Sequence, residues 1–216
     1  MIIRKYKKSD RSQVEFIHFE TFFLGKSVGT IAKDHKRFDK EISYYLDKEP
    51  ESCFVIEYKG KVVGYLLGCL DDKKHDESIL SIFIEGFGRF LQLPFMNNLD
   101  RRFWWSRIKS FFYTIVGKSE EVKFKPPKDA GHLHINFLSY VRGKGNGTKL
   151  LKAFFKYAKS KKVKLIHADS WQTRLNPNKN FWIKNGFKEY CNVSTSFWKT
   201  QYPNEAIRLV CYVKKL

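Results

Sequence analysis

Residues 142–147 read Arg-Gly-Lys-Gly-Asn-Gly, three glycines at alternate positions in a run that carries two cations. Glycines so spaced let backbone N–H groups converge on a phosphate, and a helix starting at the end of the run adds free N–H donors and a favourable dipole. Arg142 and Lys144 put charge at the rim, Thr148 offers a hydroxyl, and a pyrophosphate held by Gly143, Gly145, Asn146 and Gly147 would be gripped largely through backbone. A Walker loop needs G-x-x-x-x-G-K-[ST], and Thr148 breaks G-x-G-x-x-G, so neither nucleotide fingerprint is present. Just upstream, His132 and His134 stand two residues apart; on a strand they share a face, and imidazole takes a proton near neutral pH. Asp169 is a second candidate base. Each feature also has an ordinary explanation: a tight connection for the glycines, polar packing for the histidines, a cap or a solvated strand end for the aspartate.

The elements that must position these residues follow from periodicity. Ile2–Lys5 reads as a strand, and Asp10 with Gln13 resembles a capping box opening a helix to about Phe23. A second helix is expected over Ala32–Leu46, then a hairpin from Cys53–Tyr58 and Lys61–Leu70 about Lys59-Gly60. A strand is expected over His132–Leu138, with His132, His134 and Asn136 on one face and Leu133, Ile135 and Phe137 on the other. Leu150, Leu151, Phe154, Phe155 and Ala158 mark one face of the helix after the glycine turn. Val163–Ala168 gives a strand, with Asp169 just past it. A helix over Asn176–Lys184 closes at Asn185-Gly186, and Phe187–Cys191 and Ile207–Val213 are closing strands. The order describes a layered α/β fold. Residues 71–130 interrupt it with an aromatic-rich stretch, including Phe83, Phe87, Phe90, Phe95, Phe103, Trp104, Trp105, Phe111 and Phe112, whose roughly helical spacing predicts helices packed on a core. A substrate-covering lid and a membrane or partner contact are the other readings of that segment.

Arg-x-x-Gly-x-Gly between a strand and an amphipathic helix resembles the acyl-CoA signature of the GNAT N-acetyltransferase superfamily. Upstream, His132-Leu133-His134-Ile135-Asn136-Phe137-Leu138-Ser139 resembles the family's bulged fourth strand, and downstream Asn176 to Phe187 resembles its second signature, an Asn-rich helix start ending in an aromatic pair and Gly-Phe. The detailed likeness covers about residues 131–190. It implies a mixed, mostly antiparallel central sheet flanked by helices, in a single domain over residues 1–216, with the insertion at about 71–130 between the third and fourth strands. It also implies acetyl-CoA, or another acyl-CoA, as co-substrate without a metal, and direct attack by a primary amine of a small molecule or protein. Backbone around Asn136, Phe137, Leu138 and Ser139 would meet the pantetheine arm and polarise the carbonyl, and Asn176, Asn180 and Phe181 would contribute from the second motif. His134 and His132 would take the amine proton, as in arylalkylamine acetyltransferases, with Asp169 as the alternative. The family's usual general acid is a tyrosine, yet Trp182 stands second in the aromatic pair, and indole cannot deliver that proton. Water, Tyr140 or Tyr190 substitutes, or the thiolate leaves unaided, or the domain is a silent acyl-CoA-binding module. The acceptor pocket would draw on Phe22–Gly29 and on the insertion.

Composition narrows the rest. A 43% hydrophobic chain of 216 residues buries a sizeable core. Its start carries no secretory-type apolar stretch, and no apolar run approaches the roughly 20 residues that span a bilayer, so a cytoplasmic location is expected. Four cysteines without a Cys-x-x-Cys pair read as buried free thiols. A formal charge of +19 permits binding to nucleic acid, but the lysines are scattered along the chain, and that reading ranks behind the amine acceptor.

Overall fold

In the computed structural model the described residues are 1–33, 35–70, 89–117, 120, 123–174 and 178–216. Asn176, Phe83 and Phe87 lie outside them, and the side chain of Phe90 is also outside the description. Seven strands form one sheet in the order β1-β2-β3-β4-β5-β7-β6: β1 (Ile2–Lys5), β2 (Phe54–Tyr58), β3 (Lys61–Cys69), β4 (Gly131–Phe137), β5 (Leu165–Gln172), β6 (Lys188–Ser194) and β7 (Arg208–Lys215). Every neighbouring pair is antiparallel except β4 with β5. The helices are α1 (Arg11–Thr21), α2 (His35–Lys48), α3 (Asn98–Ile115), α4 (Asn146–Ser160) and α5 (Lys179–Lys184).

Alternation along the strands builds a core on each face. Phe54, Ile56, Leu66, Leu133 and Ile166 meet Leu150, Leu151 and Phe154 of α4 and Trp182 of α5. On the opposite face Val55, Tyr65, Leu67 and Cys69 meet Val14 and Ile17 of α1 and Ile42, Tyr45 and Leu46 of α2. A third cluster joins Phe19 and Phe23 to Phe38, to Phe103 and Trp104 of α3, and to Trp198 and Ile207 of the β6–β7 connection. The expectation that the insertion's aromatics pack as helices on a core holds for Phe103 and Trp104; Phe95, ahead of that helix, and Trp105, Phe111 and Phe112 on it are more than half exposed.

Two local expectations are corrected. Asp10 does not form a capping box with Gln13. Its carboxylate accepts from Lys7 N–H at 2.8 Å and from the Arg4 guanidinium at 2.7 and 2.9 Å, while the Gln13 amide oxygen accepts from Val62 N–H at 2.8 Å. The cation of Arg4 on β1 draws the carboxylate back toward the chain that precedes the helix, because a charge-assisted bidentate pair outweighs a neutral amide cap. Asp169 is not past β5 but inside it, paired with Cys211, since β7 extends the ladder to Gln172. The Lys59-Gly60 turn has positive φ at both residues, 50° and 73°, which suits a two-residue hairpin between right-twisted strands. The cysteines are free, three buried and Cys191 partly so. No helix among the described residues is long and apolar enough to cross a membrane.

Candidate active site

Parallel strands β4 and β5 pair only at their beginnings, Gly131 with Ile166 and His132 with His167. Beyond that point β4 keeps its ladder to β3 through Phe137, and Leu138 N–H donates to the Val63 carbonyl at 3.1 Å, but β5 has turned away. The sheet therefore opens into a cleft, one wall of which is the β4 backbone from Leu133 to Phe137. The bulge expected in β4 is not what frees this edge: the β3–β4 register is continuous from His132 to Phe137, and the divergence of β5 does the work instead.

At the mouth of the cleft stands the glycine run. Gly143 and Gly145 both have left-handed backbones, φ 75° and 74°, and a Cβ placed on either would have no heavy atom within 4 Å, so the loop faces open space. Gly145 is the N-cap of α4 and offers no side-chain cap, which leaves the first-turn N–H groups available to an anion. Lys144 is exposed beside them. Arg142 is engaged in the fold: its Nε donates to the Phe137 carbonyl at 2.8 Å and its Nη2 to the Gly25 carbonyl at 3.0 Å, tying the loop after α1 to the end of β4. Partial burial lowers the pKa of that guanidinium from its ordinary value. Asn146 is buried, with its amide donating to the Val141 carbonyl at 3.1 Å, so its side chain closes the loop while its backbone opens α4. Thr148 is half-buried in the first turn, and Ser139 and Tyr140 are exposed where β4 ends.

Of the second motif, Phe181 packs where a Cβ on Gly147 would come within 2.6 Å of its ring, so glycine there lets α5 approach α4. Asn180 is exposed. Asn178 is turned to β5, donating to Ser170 Oγ at 2.6 Å and accepting from Gln172. Trp182 is 5% exposed, in the core against Phe187 and Tyr212, and does not point into the cleft. Tyr190 is exposed on β6.

The second sheet face holds the titratable groups. His132 Nδ1 lies 2.6 Å from the Tyr45 hydroxyl, and its ring centre 4.7 Å from that of His167, whose Nδ1 is 3.3 Å from Asp169 Oδ1. His132, His167 and Asp169 have ligand-type atoms all within 4.8 Å of one another. One nitrogen of each imidazole is engaged, His132 by Tyr45 and His167 by Asp169, and the two pairs meet through the tilted ring contact between His132 and His167. His134 joins a different set: the Tyr65 hydroxyl lies 3.2 Å from its Nδ1, 3.0 Å from His18 Nδ1 and 3.2 Å from Asn136 Nδ2. Burial raises the Tyr65 phenol far above its ordinary pKa, so it stays protonated. His18, Tyr45, Tyr65 and His167 were not singled out from the sequence. His167 and Asp169 share the same i, i+2 spacing as His132 and His134, a signal that could have found them; the other three lie on distant elements. Phe22 sits beside this face, its ring 5.2 Å from those of His18 and Phe38 and 5.6 Å from that of Trp171.

No protein-family model matches the chain, and no curated protein matches its sequence significantly. Solved structures do resemble it. SsHAT is 20% identical, with 99% of this chain and 97% of that chain covered at a TM-score of 0.63. The ribosomal-protein-alanine N-acetyltransferase from Brucella melitensis is 14% identical, with full coverage of both chains and a TM-score of 0.55. The polyamine N-acetyltransferase of Drosophila melanogaster is 12% identical, with 100% of this chain and 99% of that chain covered at a TM-score of 0.56. Such identities speak to fold. With its sheet order, its single parallel pair and the cleft that pair opens, the chain has the fold of the GNAT acetyltransferases.

Proposed function

We propose that this protein is an acyl-CoA-dependent N-acyltransferase that moves an acetyl group from acetyl-CoA to a primary amine by direct attack, in a single domain that includes the 71–130 insertion. The observation that carries the reading is the coincidence of an unpaired β4 edge with an open glycine loop at a helix start. An extended pantetheine arm matches a free strand edge, and a pyrophosphate matches converging backbone donors. The solved structures of similar fold include enzymes named for acetylating agmatine, polyamines and a ribosomal-protein alanine, which supports an amine acceptor, small or protein-borne.

In this reading the pantetheine arm lies along the free β4 edge, against the backbone of Asn136, Phe137, Leu138 and Ser139. Gly143, Lys144, Gly145, Asn146, Gly147 and Thr148 hold the diphosphate, Arg142 keeps the loop in place, and Phe181 and Asn180 flank it with Asn176. Acetyl-CoA supplies the activated carbonyl; the chain positions both reactants, excludes water and manages protons. His134 takes the amine proton, with His132 and, through His167, Asp169 as neighbouring acceptors. The acceptor enters beside the aromatic cluster of Phe22, Trp171 and Trp198. Trp182 supplies no acid, so the thiolate draws its proton from water or from the exposed Tyr140. A cytoplasmic location belongs to the same reading, as does a catalysis that needs no metal.

Calorimetric titration with acetyl-CoA tests the donor site. Adding agmatine, spermidine, phenethylamine, amino acids and short peptides while following free thiol tests the reaction. Binding with thiol release supports the enzyme; binding without release over a broad panel points to a silent acyl-CoA-binding module; no binding overturns the assignment.

A further inference from the structure

Tyr65, fully buried in the middle of β3, has three polar neighbours at its hydroxyl: His18 Nδ1, His134 Nδ1 and Asn136 Nδ2. A phenol has one proton to give and two lone pairs to offer. The Asn136 amide nitrogen only donates, so it takes one lone pair. Of the two imidazole nitrogens, one must then accept the phenolic proton and the other must donate its own N–H to the remaining lone pair. One oxygen thus holds His18 and His134 in opposite Nδ1 protonation states. His18 is 1% exposed, and its Nε2 has no hydrogen-bond partner yet lies 3.8 Å from Glu41 Oε2 on α2. A buried donor atom left that close to a carboxylate needs only a small side-chain movement to meet it. The Glu41 side chain is 24% exposed and so reaches solvent.

We propose that Tyr65 is a proton bridge between His134 and His18, and that His18 and Glu41 carry the acceptor's proton out of the site. The inference rests on the acyltransferase reading. The ammonium N–H bond breaks as His134 Nε2 takes the proton. The Nδ1 proton of that ring passes to the Tyr65 oxygen as the phenolic proton passes to His18 Nδ1. The His18 Nε2 proton goes to Glu41, which releases it to water. One proton enters, one leaves, and no group ends with a changed charge. The two imidazoles are left in exchanged tautomers and return to the starting ones by exchange with water once the site empties. Because burial keeps Tyr65 from ionising, it acts by giving and taking a proton together.

Two measurements test this, one independent of turnover. In the 15N-labelled protein, two-bond imidazole correlations report which nitrogen of each neutral ring carries hydrogen; His18 and His134 are expected in opposite Nδ1 states, and Tyr65→Phe should uncouple them. With acetyl-CoA and an amine turned over from the panel above, Tyr65→Phe should lower kcat about 10- to 100-fold at pH 7. The defect should shrink at high pH, where the amine arrives unprotonated, and KM for acetyl-CoA should not change. Glu41→Gln, at a side chain that reaches solvent, should show a smaller loss with the same pH dependence. The other titratable side chains on this face, among them Tyr6, Tyr44, Tyr45, Glu49, Cys53, Cys69, His132, His167 and Asp169, are intact in both variants. Both rings in one Nδ1 state, or a kcat loss equal at every pH in both variants, overturns the bridge. Failure of acetyl-CoA to bind the unmodified protein is a separate outcome that removes the acyltransferase reading, and with it the route.

Discussion

Replacing Gly145 with glutamate separates the cost of a left-handed backbone from the cost of losing an anion site. At φ 74° a residue with a side chain is strained by about 1–2 kcal/mol, and since a Cβ there meets nothing within 4 Å, no steric clash is added. Gly60 makes the matched control: its φ is 73°, a Cβ on it also meets nothing within 4 Å, and it lies in the β2–β3 turn, outside the glycine run. Gly145→Glu and Gly60→Glu should therefore lose similar stability, a fall in Tm of about 2–8 °C for a chain of this size. Only the first sets a carboxylate against the diphosphate. A unit charge about 4 Å from another near a protein surface costs about 4 kcal/mol, less where water screens the pair, so a range of about 2–4 kcal/mol is expected. That is about a 30- to 1,000-fold rise in Kd for acetyl-CoA, measured by calorimetry on both folded variants. Unchanged affinity in folded Gly145→Glu would refute the reasoning, as would an equal loss in Gly60→Glu.

Other expectations follow from the same geometry. Asp10 is 4% exposed and accepts two hydrogen bonds from Arg4 and one from Lys7 N–H, so Asp10→Asn should lose about 1–3 kcal/mol in urea denaturation at pH 7. Because the Arg4 hydrogen bond above all holds this carboxyl below its usual pKa when folded, its contribution is present above the unfolded value near 4 and is lost as pH falls through the folded one. The gap between Asp10→Asn and the unmodified protein should accordingly close in acid; a gap that persists once the carboxyl is protonated would count against the pair. Trp182→Tyr places a tyrosine where the superfamily it resembles usually has its general acid, yet the ring lies in the core against Phe187 and Tyr212. It should lower Tm without raising kcat, and a tenfold gain in kcat would show that position 182 reaches the cleft.

The parts of the fold legible in sequence were those set by local rules. The hairpin about Lys59-Gly60, the helix after the glycine run and the order of strands followed from turn chemistry and apolar periodicity, and each was found close to its expected place. The boundaries that shifted did so for tertiary reasons. β5 runs on to Gln172 because β7 offers a partner that far, and Asp10 serves Arg4 because β1 lies beside the start of α1. The loop was visible because its chemistry is contiguous in the chain. The side of the site proposed to handle protons was half visible: His132 and His134 sit on one strand, but Tyr65 and His18 are separated from His134 by 69 and 116 residues of sequence and meet it only when β3 pairs with β4 and α1 packs on them. Nor could composition show that Trp198, from the β6–β7 connection, would complete the aromatic cluster with Phe23 and Phe103.

One strand ties the two halves of the site together. The odd-numbered side chains of β4, Leu133, Ile135 and Phe137, pack into the core that carries α4, while His132, His134 and Asn136 point to the face covered by α1 and α2. The helix that opens at the glycine loop and the imidazoles proposed to handle protons are thus fixed to opposite faces of the same seven residues, and their separation cannot drift without bending β4. Phe137 reinforces this at the mouth. Its ring fills the space where a side chain on Gly64 of β3 would stand, it lies 3.5 Å from where a Cβ on Gly147 would stand, and its carbonyl accepts from Arg142. A residue chosen from the sequence for its backbone therefore also works through its ring, wedging β3 against α4. Enlarging Gly64 would force that ring to move, and with it the strand edge on which the donor is proposed to lie.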